Sequence, residues 1–116
     1  MNTKNGRWVQ ILDVSEIDDT NMVGFEIDDR QIAIYRIEDS YFATANVCTH
    51  AFALLSDGWL DGDTVECPLH GACFNVCTGK AMSDPAEIDL EVFETRVTDN
   101  IVEIFLPEEA HRMADT

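Results

Sequence analysis

Residues 46–79 read NVCTHAFALLSDGWLDGDTVECPLHGACFNVCTG. Two strings in this stretch decide how the chain is read: Cys48-Thr49-His50 and Cys67-Pro68-Leu69-His70. The pattern is C-x-H, sixteen intervening residues, then C-x-x-H. Each half offers one thiolate and one imidazole from a tight loop, and both donors suit iron and zinc. Two such loops facing one another can enclose a metal centre. Two histidines, four glycines and Pro68 crowd the same stretch, with Thr64–Glu66 and Cys73–Val76 as short strands between loops. It therefore reads as a small subdomain inserted into a larger framework.

Working outward, short β-like segments dominate on both sides. Residues 8–12, 22–27, 31–37 and 41–45 read as strands. Asp28-Asp29-Arg30 and Glu38-Asp39-Ser40 are the turns between them. Beyond the insert, Leu90–Val97 and Ile101–Leu106 flank Thr98-Asp99-Asn100 as one more hairpin, ended by Pro107. Turn signals at this spacing predict an all-β sandwich or barrel. A short helix is expected over Val14–Asn21, capped by Ser15. The tail from Glu108 to Thr116 is polar and expected to fray.

The chain has 116 residues, enough for one domain over 1–116 with one modest core. No apolar run approaches the roughly 18 residues of a membrane span, and the first residues lack a signal-peptide pattern. A cytoplasmic protein is expected, with no membrane partner. The net charge is −16, from 23 acidic and 7 basic residues. Such a surface repels phosphate backbones, which argues against nucleic acid. It attracts a partner with a basic face. Without a signal sequence, at least some of the four cysteines are expected to serve metal or redox chemistry rather than disulfides.

Four ligands of this kind suit tetrahedral zinc, although common zinc modules group C-x-x-C with H-x-x-x-H. They also suit a [2Fe–2S] cluster in which two histidines replace two cysteines on one iron. Cys48 and Cys67 would then bind one iron, and His50 and His70 the other. The sequence resembles the Rieske-type ferredoxins of multicomponent bacterial aromatic-ring dioxygenases. The resemblance lies in Cys-Thr-His at 48–50, Leu55-Ser56-Asp57-Gly58, Glu66-Cys67-Pro68-Leu69-His70-Gly71, Phe74 and Thr78-Gly79-Lys80. It favours the iron–sulfur cluster over zinc. It implies an all-β Rieske fold: an antiparallel sandwich-like base with a cluster-binding subdomain at about 46–79, the histidines near its tip. It also implies single-electron transfer from a flavin-dependent ferredoxin reductase to a terminal ring-hydroxylating oxygenase, with no substrate chemistry in this chain. The oxygenase's own catalytic subunit would need a large iron-containing domain after the Rieske domain, for which this chain is too short. The other readings are a Rieske-like small subunit of an assimilatory nitrite reductase and a non-redox module.

One departure from the wider family matters. Respiratory and photosynthetic Rieske proteins carry an extra cysteine in each loop, joined as a disulfide, and place Ser and Tyr hydroxyls against the cluster sulfurs. Ala53 and Leu69 stand at the first pair of places here, and Ala72 and Phe74 at the second. Both differences imply a low potential. Cys73 and Cys77 are expected to be buried small hydrophobes, Trp8 and Trp59 packing residues, and His111 a solvated surface group. Phe52 and Leu69 are expected to form an apolar, partner-facing tip.

Overall fold

The computed structural model describes residues 5–17, 20–49, 53–69, 71–83 and 88–107. Its strands are β1 (Gly6–Asp13), β2 (Met22–Ile27), β3 (Arg30–Ile37), β4 (Ser40–Ala45), β5 (Trp59–Asp61), β6 (Thr64–Glu66), β7 (Cys73–Asn75), β8 (Ala81–Ser83), β9 (Val92–Phe93), β10 (Thr95–Thr98) and β11 (Ile101–Pro107). They form three antiparallel sheets, ordered β1-β11-β10, β2-β3-β4-β9 and β5-β6-β7-β8. The all-β expectation holds. No helix among the described residues is long and apolar enough to cross a membrane.

The hairpins form because their turns accept left-handed backbone. Asp28 and Asp29 have φ of 52° and 67°, and Asp99 and Asn100 have 54° and 68°. Two successive left-handed residues make the turn whose twist matches paired strands, and Asp and Asn tolerate it better than branched residues.

Strand β3 explains the layering. Its side chains alternate, as in any strand, but both faces are buried. Ile32 and Ile34 pack with Ala43, Phe93, Val102, Ile104 and Leu106, between the first sheet and the second. Ala33 and Tyr35 point the other way, into a core shared with Val65, Phe74, Val76, Cys48 and Cys67. Full burial of each large apolar side chain contributes roughly 1.5–3 kcal/mol. The middle sheet is thus held from both sides. The Tyr35 hydroxyl reaches Thr44 Oγ1 at 2.8 Å, and burial pushes its pKa up to about 12.

Three sequence expectations need correction. The segment after β1 is a single 3-10 turn, Val14–Glu16, and its cap is Asp13, whose carboxylate accepts from the Ser15 amide at 2.9 Å. Ser15 is the donor, because its backbone N–H sits where an Asp two residues earlier can reach it. The run from Leu90 to Val97 is two strands: β9 pairs with β4 in the second sheet, and β10 with β11 in the first. The chain changes sheet at Glu94, so one extended run serves two layers. Trp59, expected to be a packing residue, is 59% exposed, because β5 turns the Leu60 side chain inward instead.

Trp8 does pack, but on the outer surface. Its ring meets Phe105 edge-on at 5.5 Å. The Arg96 guanidinium lies 4.1 Å above it and donates to Glu103 Oε1 at 2.6 Å.

Candidate metal centre

Two loops leave the middle and third sheets and close in the same way. The Cys48 amide donates to the Ala53 carbonyl at 2.9 Å, and the Cys67 amide to the Ala72 carbonyl at 2.8 Å. Each cysteine therefore opens a loop that its own backbone N–H ties shut five residues later. His50 and His70 fall within these two loops in sequence, and both lie outside the described residues. So does Phe52.

The two thiols come together. Cys48 is 3% exposed, Cys67 is fully buried, and both belong to one apolar cluster with Leu55, Val65, Ala72 and Phe74. Burial pushes the Cys67 thiol up, and the neighbouring Cys48 thiol adds to the rise, while the Leu69 amide opposes it. That amide approaches Cys67 Sγ at 3.4 Å. Two thiols buried side by side resist ionising together unless a cation joins them. This donor set therefore fits a metal centre with thiolate ligands.

The loop ends are fixed from several sides. The Asn46 side chain accepts the Ser56 amide through Oδ1 and donates through Nδ2 to Ser56 Oγ, both at 2.8 Å. Its backbone is used as well: its N–H donates to the Gln31 carbonyl and its carbonyl accepts from Leu55. Asn46 is 1% exposed, so this buried polar group has every partner it needs. A Cβ at Gly24 would crowd Asn46 Nδ2 and Ser56 Oγ; glycine there leaves room for the clasp. Gly58 links the two loops, since a Cβ there would overlap the Glu66 carbonyl oxygen and touch Pro68. Thr49 Oγ1 donates to the Ile88 carbonyl at 2.7 Å. Sequence reading missed Asn46 as a functional residue, because its partner lies ten positions away and no local pattern marks the pair.

The remaining cysteines part from this pair. Cys73 is half-buried, and its thiol approaches the Gly71 carbonyl at 3.5 Å. Cys77, expected to be buried, is exposed in the turn after β7; its amide and that of Thr78 donate to Asn75 Oδ1, which turns the chain outward there. Leu69 is 44% exposed beside the second loop. His111 lies outside the described residues.

An antiparallel β frame that presents two thiol-bearing loops to each other has the build of a small metalloprotein. The Rieske [2Fe-2S] domain family matches residues 7–94, and the chain belongs to that family. It carries the family's [2Fe–2S] cluster, which sets zinc aside. Over 90 residues it is 38% identical to the ferredoxin component of the naphthalene 1,2-dioxygenase/salicylate 5-hydroxylase systems of Ralstonia sp, covering 78% of this chain and 86% of that one. Its fold matches a chain from the complex of reduced oxygenase and oxidised ferredoxin in carbazole 1,9a-dioxygenase, with TM-score 0.80, 38% identity and coverage of 87% and 94%. It also matches the Sphingomonas yanoikuyae B1 ferredoxin, with TM-score 0.81, 31% identity and coverage of 87% and 100%.

Ala72 and Phe74 are both fully buried in the cluster of residues that holds the two thiols. Neither brings a hydroxyl to the centre. Reduction adds negative charge, so a missing donor leaves the reduced state less stabilised. The potential is expected near the low end of the Rieske range, about −150 mV. Ala72→Ser should raise it by roughly 45–85 mV, the equivalent of about 1–2 kcal/mol for one electron. Phe74→Tyr should act in the same direction. Protein-film voltammetry checks this, and a wild-type value near +300 mV would contradict the reading.

Proposed function

We propose that this chain is an electron-transfer protein that takes single electrons from a flavin-dependent ferredoxin reductase and delivers them to a terminal ring-hydroxylating oxygenase, in the cytoplasm, with no substrate chemistry of its own. The observation that carries the reading is the meeting of buried Cys48 and Cys67 at the ends of two matched loops in a Rieske chain. When bound, the [2Fe–2S] cluster takes up and gives back one electron. Cys48, Cys67, His50 and His70 are the residues that would hold it. The chain's own contribution is to place the two loops, exclude water from the thiols, and present the second loop, with exposed Leu69, to a partner. The subdomain at about 46–79 carries these parts. Relatives named as ferredoxin components of dioxygenase systems support a diffusing carrier over a nitrite reductase subunit.

The test is reconstitution. NADH-dependent turnover of an aromatic substrate should require reductase, oxygenase and this chain together. Co-purification with a sirohaem subunit, and no turnover in the reconstituted mixture, would reverse the assignment. With a net charge of −16, reduction by the reductase should slow as salt rises, because screening at about 0.15 M acts beyond roughly 8 Å. Stopped-flow rates that are flat from low to high salt would remove the steering role.

A further inference from the structure

Trp59 stands out on the third sheet. In the register Trp59↔Glu66↔Cys73, these residues share one face, while Leu60, Val65, Phe74 and Ala81 share the opposite face and pack into the core. The first face is outward and has no layer over it among the described residues. An indole left this open is unusual, since large aromatic rings are ordinarily used to bury area, in cores or at interfaces.

The charges around it are one-sided. Residues 46–79 hold Asp57, Asp61, Asp63 and Glu66 and not one lysine or arginine. All four carboxylate residues are exposed. Elsewhere the chain engages its own arginines: Arg7 pairs with Asp28, Arg30 with Glu91, and Arg96 with Glu103.

The other tryptophan shows what such a face accepts. Trp8 has a guanidinium 4.1 Å over its ring, and the same guanidinium is bonded to a glutamate on the neighbouring strand. Trp59 has the ring and, directly across the strand pair, the glutamate, Glu66. What it lacks among the described residues is the cation. We propose that the Trp59 face of β5 and β6 docks a partner protein through an arginine, whose guanidinium stacks on Trp59 and pairs with Glu66. Arginine suits the place better than lysine, because its planar fork can stack and bond at once. The face adjoins the metal centre, since Glu66 precedes Cys67 and Gly58 packs on the Glu66 backbone and the Pro68 ring. The inference rests on the electron-carrier reading in taking the arginine to belong to a redox partner.

Two experiments test it, and only one needs the redox function. In 5-fluorotryptophan-labelled protein, a short poly-arginine peptide should shift the 19F resonance of Trp59 and leave that of Trp8, already covered by Arg96, in place. Poly-lysine should shift it less. A Trp59 signal that stays still, or moves equally with both peptides, overturns the proposal, whatever the protein's role. In half-reactions with purified reductase and oxygenase, Trp59→Leu should raise KM for this chain about tenfold with at least one partner. Trp59→Phe should lose less, because it keeps an aromatic face. Val97→Ala, an exposed apolar site on another sheet, should change nothing. Saturating kcat, reduction potential and EPR spectrum should stay as in wild type. Unchanged KM with both partners, or equal losses in the Leu and Phe variants, overturns it. Failure of the wild type to exchange electrons with either partner would count against the carrier reading, and the peptide arm would still decide the docking face.

Discussion

His50→Ala and His70→Ala, like Cys48→Ser and Cys67→Ser, are expected to yield protein that has lost its cluster or holds it in badly disrupted form. Wild-type protein should contain about two iron and about two acid-labile sulfide per chain, as a [2Fe–2S] centre requires. Its reduced form should show the EPR pattern of a mixed His/Cys cluster. The physical reason lies in the donor set. Cys48 and Cys67 are buried side by side, and a lost thiolate or imidazole there has no replacement within the closed loops. Cys73→Ser and Cys77→Ser should keep the cluster. Cys77 is exposed in a turn, and the Cys73 thiol is directed at the Gly71 carbonyl. Metal analysis and visible absorbance read the outcome. Cluster loss in Cys73→Ser, with His70→Ala still loaded, would overturn the ligand assignment.

Asn46→Ala should be the most damaging change outside the ligands. It removes the acceptor of the Ser56 amide and the donor to Ser56 Oγ at once, at a position only 1% exposed. An unsatisfied buried donor costs about 1–3 kcal/mol, and the lost side-chain volume adds to that. The expected loss is about 2–4 kcal/mol in chemical denaturation. Release of iron to a chelator should quicken, because Asn46 and Ser56 stand at the two ends of the first loop. Ser56→Ala should cost only about 1 kcal/mol, since its backbone amide still donates to Asn46 Oδ1. Hydrogen exchange at the Ser56 amide localises the effect. Asn46→Ala protein as stable as wild type, with iron release unchanged, would show that the clasp is not what holds the loop.

How much of this was legible differs by residue. The candidate strings stand out directly, because C-x-H and C-x-x-H put donors within one tight loop, and a tight loop is a local object. The turns at Asp28-Asp29 and Asp99-Asn100 were legible for the same reason: left-handed backbone selects residue types locally. The all-β class followed from those turns and the short runs between them. The split of Leu90–Val97 was not legible, since a β-like run looks the same whether one sheet or two receive it. The exposure of Trp59 was missed because hydrophobicity ranks a residue without saying which face of a strand it occupies.

The sequence by itself determined the chemistry on offer, namely two thiols and two imidazoles at cluster spacing, an acidic surface and a β framework. Those properties depend on residue type and near neighbours. Only the tertiary structure decided that Cys48 and Cys67 meet in one buried pocket, that Asn46 clasps Ser56, that β3 is buried on both faces, and that Trp59 faces out beside Glu66. Each of these joins residues through strand register or sheet stacking, and a shift of one residue in register would send every such side chain to the opposite face.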